Sequence, residues 1–135
     1  MNRKLSQIFL LIATVFFFGC NHHRVVEVTH KQAMLQLDTN VVDFGRIRPG
    51  DRTEVREVEF YNVGGEPLVI HNANTTCHCT VASYTKSPIK SGDSGKIRIE
   101  LNVQEVSGVF MKAVWLESNS MSTPDEILIK GMVDE

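Results

Sequence analysis

Strict alternation of apolar and polar side chains is the feature that most constrains how this chain can fold. From Lys96 to Val103, an apolar residue stands at every second position, and Arg98, Glu100 and Asn102 lie between. Successive side chains of a β-strand point to opposite faces, so this period of two predicts a strand with one buried face. No segment of comparable length has the 3.6-residue period of an amphipathic helix.

Other short segments of β character recur along the chain, separated by turn-forming residues. Runs of Gly, Pro, Asn and Asp supply the backbone conformations that tight turns require. The pattern predicts an all-β, immunoglobulin-like antiparallel β-sandwich of about seven strands, occupying residues 35–135. Besides Lys96–Val103, the predicted strands are Leu35–Leu37, Val41–Phe44, Thr53–Asn62, Leu68–Ala73, Val109–Glu117 and Glu126–Val133.

The segment Val109–Glu117 differs from the other predicted strands because both of its faces are apolar. Such a strand is either covered on both sides or exposes an apolar face to something else. The inward phases of three strands also predict specific core residues, namely Phe60, Ile99 and Phe110.

The first residues have the features of a bacterial lipoprotein signal peptide. Arg3 and Lys4 precede an apolar run from Ile8 to Phe18, which is too short to span a bilayer. The run ends at Gly19-Cys20, a small residue followed by cysteine, which resembles the site where a lipoprotein is cleaved and lipidated. We therefore expect a signal peptide over residues 1–19, lipidation of Cys20 and a polar tether over residues 20–34.

This reading places the protein in the bacterial cell envelope, attached to a membrane through lipidated Cys20. No acidic run follows Cys20, which favours the periplasmic side. Removal of Arg3 and Lys4 lowers the basic count from 14 to 12 against 16 acidic residues. A chain with this balance, and with no basic patch interleaved with aromatic residues, is not expected to bind nucleic acid.

The clearest candidate for a chemical site is Cys77-His78-Cys79. On a flat strand, residues two apart point the same way and lie about 6.6 Å apart. Two thiolates so placed could bind Cu or Zn, with His78 as a further ligand only where the backbone turns. The same spacing lies near the upper limit for a disulfide, so a bond between Cys77 and Cys79 requires a bend. Free thiols, a local disulfide and a metal dithiolate therefore remain open.

Catalysis is not expected from the sequence. A nucleophilic enzyme needs a base beside its nucleophile, and the only candidates here are Cys77 or Cys79 as the nucleophile with His78 or His71 as the base. No motif for an oxyanion hole accompanies them. Two functions from different classes follow. The first is a non-catalytic binding or scaffolding module for an unknown envelope protein. The second is a lipoprotein that handles thiols or metals through Cys77-His78-Cys79.

An ordered series of short motifs resembles the bacterial domain-of-unknown-function family DUF1573. The resemblance extends from Leu35 to Val133 and implies an immunoglobulin-like sandwich similar to major-sperm-protein and ASPM-SPD-2-Hydin domains. It also implies a lipoprotein of the Bacteroides group, but no established activity. Members usually carry Cys-Gly-Cys-Thr, and His78 replaces the glycine here. The motifs are Asp43–Ile47, Phe60–Gly64, Pro67–Ile70, Cys77–Thr80, Pro88-Ile89, Gly92–Gly95, Gly108–Lys112, Ser118-Asn119 and Leu128–Gly131.

Overall fold

A computed structural model describes residues 31–50, 52–121 and 125–134. The predicted signal peptide, Cys20 and most of the predicted tether lie outside these residues. The described chain forms a β-sandwich, as the sequence predicts. Its strands are β1 (Leu35–Leu37), β2 (Val41–Ile47), β3 (Thr53–Asn62), β4 (Ile70–Thr75), β5 (Thr80–Tyr84), β6 (Ser94–Asn102), β7 (Gly108–Ser118) and β8 (Asp125–Val133).

Eight strands are present among the described residues, where the sequence predicts about seven. The additional strand is β5, which pairs antiparallel with β6 from Thr80 to Tyr84. It lies at the edge of its sheet, and Val81 is 60% exposed there. An edge strand with an exposed apolar residue lacks the clear alternation that marks a half-buried strand, which explains why the sequence pattern missed it.

The strands form two four-stranded sheets, with the orders β1-β3-β6-β5 and β2-β8-β7-β4. All pairs are antiparallel except β2 with β8, which run parallel from Val41 opposite Leu128 to Ile47 opposite Val133. The predicted antiparallel sandwich is confirmed, with this parallel pair as an exception that the sequence does not predict. Periodicity identifies the buried face of a strand but contains no information about the direction of its neighbour.

The core lies between the two sheets and contains the residues that the strand phases predict. Phe60 and Ile99 are fully buried, and Phe110 is 5% exposed, so all three predictions are confirmed. Phe110 packs against Phe44 with ring centroids 6.3 Å apart, which joins the first and third strands of the second sheet. Apolar burial of this kind is the main stabilising contribution in a domain of this size.

Ordered packing begins before β1, within the last residues of the predicted tether. Ala33 is 2% exposed and belongs to the core, and its carbonyl accepts the Met121 N–H. A Cβ atom at Gly64 would collide with the Gln32 carbonyl oxygen and the Met34 nitrogen. Only glycine lets the loop after β3 approach this incoming segment so closely. Within the described ranges, no helix is long and apolar enough to cross a bilayer.

The strand registers define two ends of the sandwich. At the end where the chain enters, Leu35 lies opposite Asn62 and Ile70 lies opposite Ser118. We call this the tether pole. At the other end, Thr53 lies opposite Asn102, whose N–H donates to the Cys79 carbonyl oxygen. This distal pole also contains the 3-10 turn Val103–Glu105.

Candidate functional site

The Cys77-His78-Cys79 segment forms a turn at the distal pole and joins β4 to β5. The two cysteines form a disulfide, with their Cα atoms 5.2 Å apart. This separation is shorter than the roughly 6.6 Å of a flat strand. The premise of an extended Cys-x-Cys strand is therefore wrong, because β4 ends at Thr75 and β5 begins at Thr80. Of the three open states, the structure shows the disulfide.

Two threonines hold the turn in place. The Thr75 hydroxyl donates to the carbonyl oxygens of Cys77 and Thr80, at 3.0 and 3.1 Å. The Thr76 N–H donates to the Ala113 carbonyl oxygen, and its hydroxyl oxygen accepts the Ala113 N–H. Local side-chain hydrogen bonds of this kind compete with the extended conformation and stabilise a bend.

The two sulfur atoms lie in different surroundings. Cys79 is 5% exposed and belongs to the core, whereas Cys77 is half-buried and His78 is exposed. The Thr80 Oγ1 atom lies 3.5 Å from the Cys77 Sγ and 3.7 Å from the Cys79 Sγ. Thr80 is itself buried, so its hydroxyl stands beside both sulfurs where little water can compete.

This disulfide contributes little to the stability of the fold. Stabilisation by a cross-link grows with the length of the loop it closes, and only one residue separates the two cysteines. The chain-entropy relation gives about 1.6 kcal/mol for a three-residue loop, about half of the value for a loop of 15 residues. A purely stabilising role therefore explains the bond poorly.

The metal hypothesis for Cys77, His78 and Cys79 stays a prediction that concerns the reduced protein. A thiol binds Cu or Zn as a thiolate, and in the disulfide neither sulfur carries that charge. In the part of the chain that the structure describes, no group of three or more His, Cys, Asp or Glu side chains is arranged to hold an ion.

Shallow clefts lie on both sides of the disulfide turn. One, of about 360 Å³, runs along the end of β4 and is lined by residues from Ala73 to His78. The other has a similar volume, about 360 Å³, and lies against β5 and β6. Arg52 and Glu100 both line this second cleft beside Cys79, so it contains one charge of each sign. Both clefts are open, which suits contact with another surface better than enclosure of a small ligand.

The second unusual surface is the outer face of the β2-β8-β7-β4 sheet, which we call the outer apolar face. Its central strand β7 exposes Val109 by 82%, Met111 by 66% and Trp115 by 36%. The registers place further apolar residues beside them, with Met132 opposite Val109 and Leu128 opposite Ala113. The strand that the sequence predicts to be apolar on both faces is therefore central in its sheet and exposes one of those faces. The face consists of Val41, Val109, Met111, Ala113, Trp115, Leu128 and Met132.

One ion pair lies within the outer apolar face. Lys130 is opposite both Met111 and Asp43, and its Nζ lies 3.4 Å from the Asp43 Oδ2. The Asp43 Oδ1 accepts the Gly45 N–H at 2.8 Å. The Gly45 N–H, and then the Lys130 ammonium, hold the pKa of Asp43 below its ordinary value. The face is thus apolar with a paired charge at its centre.

The motif Phe60–Gly64 contains Asn62, which is fully buried. Comparison with family models matches residues 35–133 to the family described as "Protein of unknown function (DUF1573)". The chain belongs to the DUF1573 family. The match covers every strand of the sandwich, from β1 to β8, and confirms the resemblance to this family over residues 35–133.

Solved structures similar to this DUF1573 domain support the fold. A protein of unknown function from Porphyromonas gingivalis W83 aligns with a TM-score of 0.67 and 23% identity, covering 83% of this chain and 51% of that one. The chain thus spans about half the length of that protein. The ASH/PapD-like domain of human CEP192 aligns with a TM-score of 0.61 and 15% identity, covering 82% of this chain and 94% of that one.

A third similar structure is the class 5 fimbriae chaperone CfaA, with a TM-score of 0.52 and 16% identity, covering 75% of this chain and 57% of that one. At these identities the likeness concerns the fold alone. No curated protein matches the chain. The DUF1573 domain therefore has an immunoglobulin-like or PapD-like sandwich, and its function must be argued from its own surfaces.

Sequence reasoning missed two residues that organise these surfaces, Thr80 and Asn62. Thr80 follows the cysteine pair directly, and a hydroxyl next to Cys-x-Cys could have suggested a contact with sulfur. Asn62 ends the predicted strand Thr53–Asn62, and the structure shows that it is a buried polar residue there. Its position in the inward phase after Val58 and Phe60 was the available signal.

Proposed function

We propose that this protein is a lipid-anchored, non-catalytic binding module of the bacterial cell envelope, and that the outer apolar face contacts a partner protein. The observation that carries the proposal is the exposure of Val109 and Met111 on a central strand. Isolated apolar residues on a surface are common, but a contiguous apolar face marks an interaction site.

The residue types of the outer apolar face favour a protein partner. Met and Trp are enriched in protein interfaces, and Met111, Met132 and Trp115 lie on this face. Methionine is flexible and adapts its shape to the surface it contacts. Full burial of an exposed Val or Met side chain contributes about 1.5–3 kcal/mol, so a few such residues can dominate an interface.

The disulfide argues against nucleophilic catalysis by either cysteine in the oxidised protein. A cysteine nucleophile acts as a thiolate, and Cys77 and Cys79 are joined to each other.

Membrane attachment rests on the apolar run that ends at Cys20. The chain enters at the tether pole, and the ten residues from Asn21 to His30 can reach at most about 35 Å when fully extended.

Site-specific photo-crosslinking in intact cells tests the binding surface. A photoreactive residue at position 111 should form adducts with a discrete partner protein. Met121 is the matched control, because it is a methionine with the same 66% exposure near the tether pole. Position 121 should give no such adduct. Equal adduct formation at both positions, or none at position 111, contradicts the proposed face.

A double substitution provides a second test of the same face. Val109→Glu with Met111→Glu places two charges on the apolar surface, and a purified adduct partner should lose affinity by at least tenfold, since about 1.4 kcal/mol corresponds to one order of magnitude. Met121→Glu adds a charge of the same kind elsewhere and should bind as the wild-type protein does. Unchanged affinity of the double variant contradicts the proposal.

Membrane attachment has its own experiment. Cys20→Ala removes the residue that would carry lipid, and the variant should move from the detergent-soluble membrane fraction to the soluble fraction. Full retention of Cys20→Ala with the membrane contradicts lipid anchoring. The crosslinking result at position 111 is independent of this outcome, so the two parts of the proposal can fail separately.

A further inference from the structure

The disulfide turn has three properties that packing does not explain. It closes a loop with only one residue between the cysteines, so its contribution to stability is small. It lies at the distal pole, away from the segment that enters the sandwich at Ala33. It is also flanked by two open clefts, which leave the turn approachable from both sides.

The burial of the two cysteines differs in a direction that suits exchange chemistry. Cys77 is half-buried and adjoins exposed His78, whereas Cys79 is 5% exposed. An incoming thiolate must approach one sulfur along the axis of the bond, and the less buried residue of the pair is the more accessible one. Cys77 is therefore the favoured site of attack, with Cys79 as the sulfur that leaves.

From this geometry we propose that the Cys77–Cys79 disulfide is an exchange site that oxidises a pair of cysteine thiols in a second envelope protein. The open clefts argue for contact with a protein surface, because neither encloses a small thiol. This activity is additional to binding through the outer apolar face, and it uses a different surface of the sandwich.

The exchange proceeds in two balanced steps. In the first step, a thiolate of the partner attacks the Cys77 Sγ, a bond forms between those sulfurs, and the bond between Cys77 and Cys79 breaks. Cys79 leaves with the electron pair and then takes a proton. In the second step, the second partner thiolate attacks the partner sulfur of the mixed disulfide and releases Cys77. The partner dithiol loses two electrons and becomes a disulfide, and Cys77 and Cys79 become two thiols.

Thr80 is the positioning residue for the leaving sulfur. Its hydroxyl lies 3.7 Å from the Cys79 Sγ and 3.5 Å from the Cys77 Sγ, so it can donate to whichever sulfur becomes a thiolate. Glu100, which lines the cleft beside Cys79 together with Arg52, is paired with Arg98. The buried Thr80 hydroxyl is the donor that contacts the Cys79 sulfur directly.

The decisive experiment measures exchange with a defined probe. The mature wild-type protein is incubated with a reduced peptide that contains two cysteines. Samples are acid-quenched and alkylated, and the number of alkylated cysteines in the protein and in the peptide is measured by mass spectrometry. We expect the peptide to gain a disulfide while the protein gains two alkylatable thiols. An oxidised peptide with the sequence of residues 75–80 is the control for the contribution of the fold. The folded protein should react at least about tenfold faster, since a hydrogen bond to a thiolate is worth about that factor.

Two results of this experiment would overturn the proposal. One is reaction no faster than that of the oxidised control peptide. The other is reduction by single-thiol glutathione as fast as by the dithiol peptide at equal thiol concentration, which would indicate general thiol sensitivity without a protein substrate. The Val109→Glu, Met111→Glu variant should exchange normally, so loss of exchange and loss of partner binding through the outer apolar face are distinguishable.

Single-cysteine variants test the order of attack. Cys79→Ser leaves a free thiol at Cys77, and Cys77→Ser leaves one at the buried Cys79. With oxidised glutathione as the probe, Cys79→Ser should form a mixed disulfide about tenfold faster, because reactivity follows exposure of the thiol. Equal rates, or faster reaction of Cys77→Ser, contradict the assignment.

Thr80→Val tests the positioning residue in the otherwise native disulfide. It preserves the volume of the side chain and removes the hydroxyl. Exchange with the dithiol peptide should slow by about tenfold, and Thr80→Ser should restore most of the rate. A rate unchanged in Thr80→Val, or lost equally in Thr80→Ser, contradicts the role of the hydroxyl.

Discussion

Asn62 shows how one buried side chain can connect segments that are far apart in sequence. Its amide nitrogen donates to the carbonyl oxygens of Glu66 at 2.7 Å and Ile89 at 3.0 Å. Its side-chain oxygen accepts the Gly64 N–H at 2.9 Å and the Met34 N–H at 3.4 Å. A fully buried amide must satisfy its hydrogen-bonding groups, and Asn62 does so by joining the tether pole to two loops.

We predict that Asn62→Leu destabilises the domain strongly. Leucine has a similar volume but leaves the Met34 and Gly64 N–H groups and the Glu66 carbonyl without their Asn62 partner, while the Ile89 carbonyl keeps the Leu68 N–H. Each unsatisfied buried group costs about 1–3 kcal/mol. A loss of at least 3 kcal/mol in the free energy of unfolding, measured in urea, is expected on this basis. Asn72→Leu at an exposed position should change it by less than about 0.5 kcal/mol. A loss below 1 kcal/mol for Asn62→Leu would contradict this role.

The carboxyl group of Asp43 provides a prediction about pH. Because its pKa in the folded protein is lowered, chiefly by the Gly45 N–H and then by Lys130, its contribution to stability is present above its ordinary pKa. That contribution is lost as the pH falls through the lowered value. An NMR titration should place the Asp43 pKa below the ordinary range of aspartate.

The Lys130→Gln variant separates the two causes. The pKa of Asp43 should rise but stay below its ordinary value, because the Gly45 N–H remains. Glu57 is the internal control. Its pKa is lowered chiefly by Lys96, and both residues lie on the sheet that does not contain Asp43, so the Glu57 pKa should not change. A return of Asp43 to its ordinary pKa in Lys130→Gln would contradict the dominant role of the backbone.

At the scale of the strand, alternation was sufficient where one face is buried and the other is not. The predicted bounds of β3 agree with the structure, those of β7 differ by one residue at each end, and those of β8 differ by one residue at the first position. The sequence could not show that β2 pairs in parallel with β8, or that β5 exists. Partner direction depends on the path of the whole chain, and an exposed edge strand carries little hydrophobic signal.

The same limit applies to the candidate site. The cysteine pair was recognisable because two cysteines in a secreted chain suggest a disulfide or a metal site. The state of the pair was not predictable, because the choice between free thiols, a disulfide and a metal dithiolate depends on whether the backbone bends. The bend is produced by the Thr75 hydroxyl and its two acceptors, which are contacts between residues that propensity treats as strand formers.

We predict that Phe60→Ala confirms the inward phase of β3 in energetic terms. Phe60 is fully buried between the sheets, and its ring lies against Gly95, where an added Cβ would approach within 2.8 Å or less. Truncation of a core phenylalanine costs about 3–5 kcal/mol in the free energy of unfolding. Val81→Ala on the edge strand β5 should cost less than about 0.5 kcal/mol. A small effect at Phe60 would contradict the assigned core.

At the scale of the whole molecule, the disulfide turn and the most exposed part of the outer apolar face, around Val109, lie away from the tether pole. The disulfide turn lies at the distal pole, and the exposed residues Val109 and Met132 pair beside the end of β8. A domain attached through its opposite end presents both surfaces away from the point of attachment. Stability, attachment and surface chemistry should therefore respond to different substitutions.

The double substitution Cys77→Ser with Cys79→Ser tests this separation. It should lower the free energy of unfolding by about 1–2 kcal/mol, the amount expected from a very short cross-linked loop. The membrane-bound fraction and the crosslinking at position 111 should match those of the wild-type protein. A loss above 4 kcal/mol would make the disulfide a principal stabilising element and contradict this account.

The pairing of β8 with both β2 and β7 has a consequence for the time at which the domain can form. In that sheet β8 is the last strand made, yet it supplies the neighbour of one of the earliest. When the chain is synthesised from its N-terminus, β2 has no partner in its sheet until β8 (Asp125–Val133) has emerged, and contacts between such distant segments form slowly. During that interval Val42 and Phe44 have no sheet to join, so the nascent chain depends on its late C-terminal strand to conceal them.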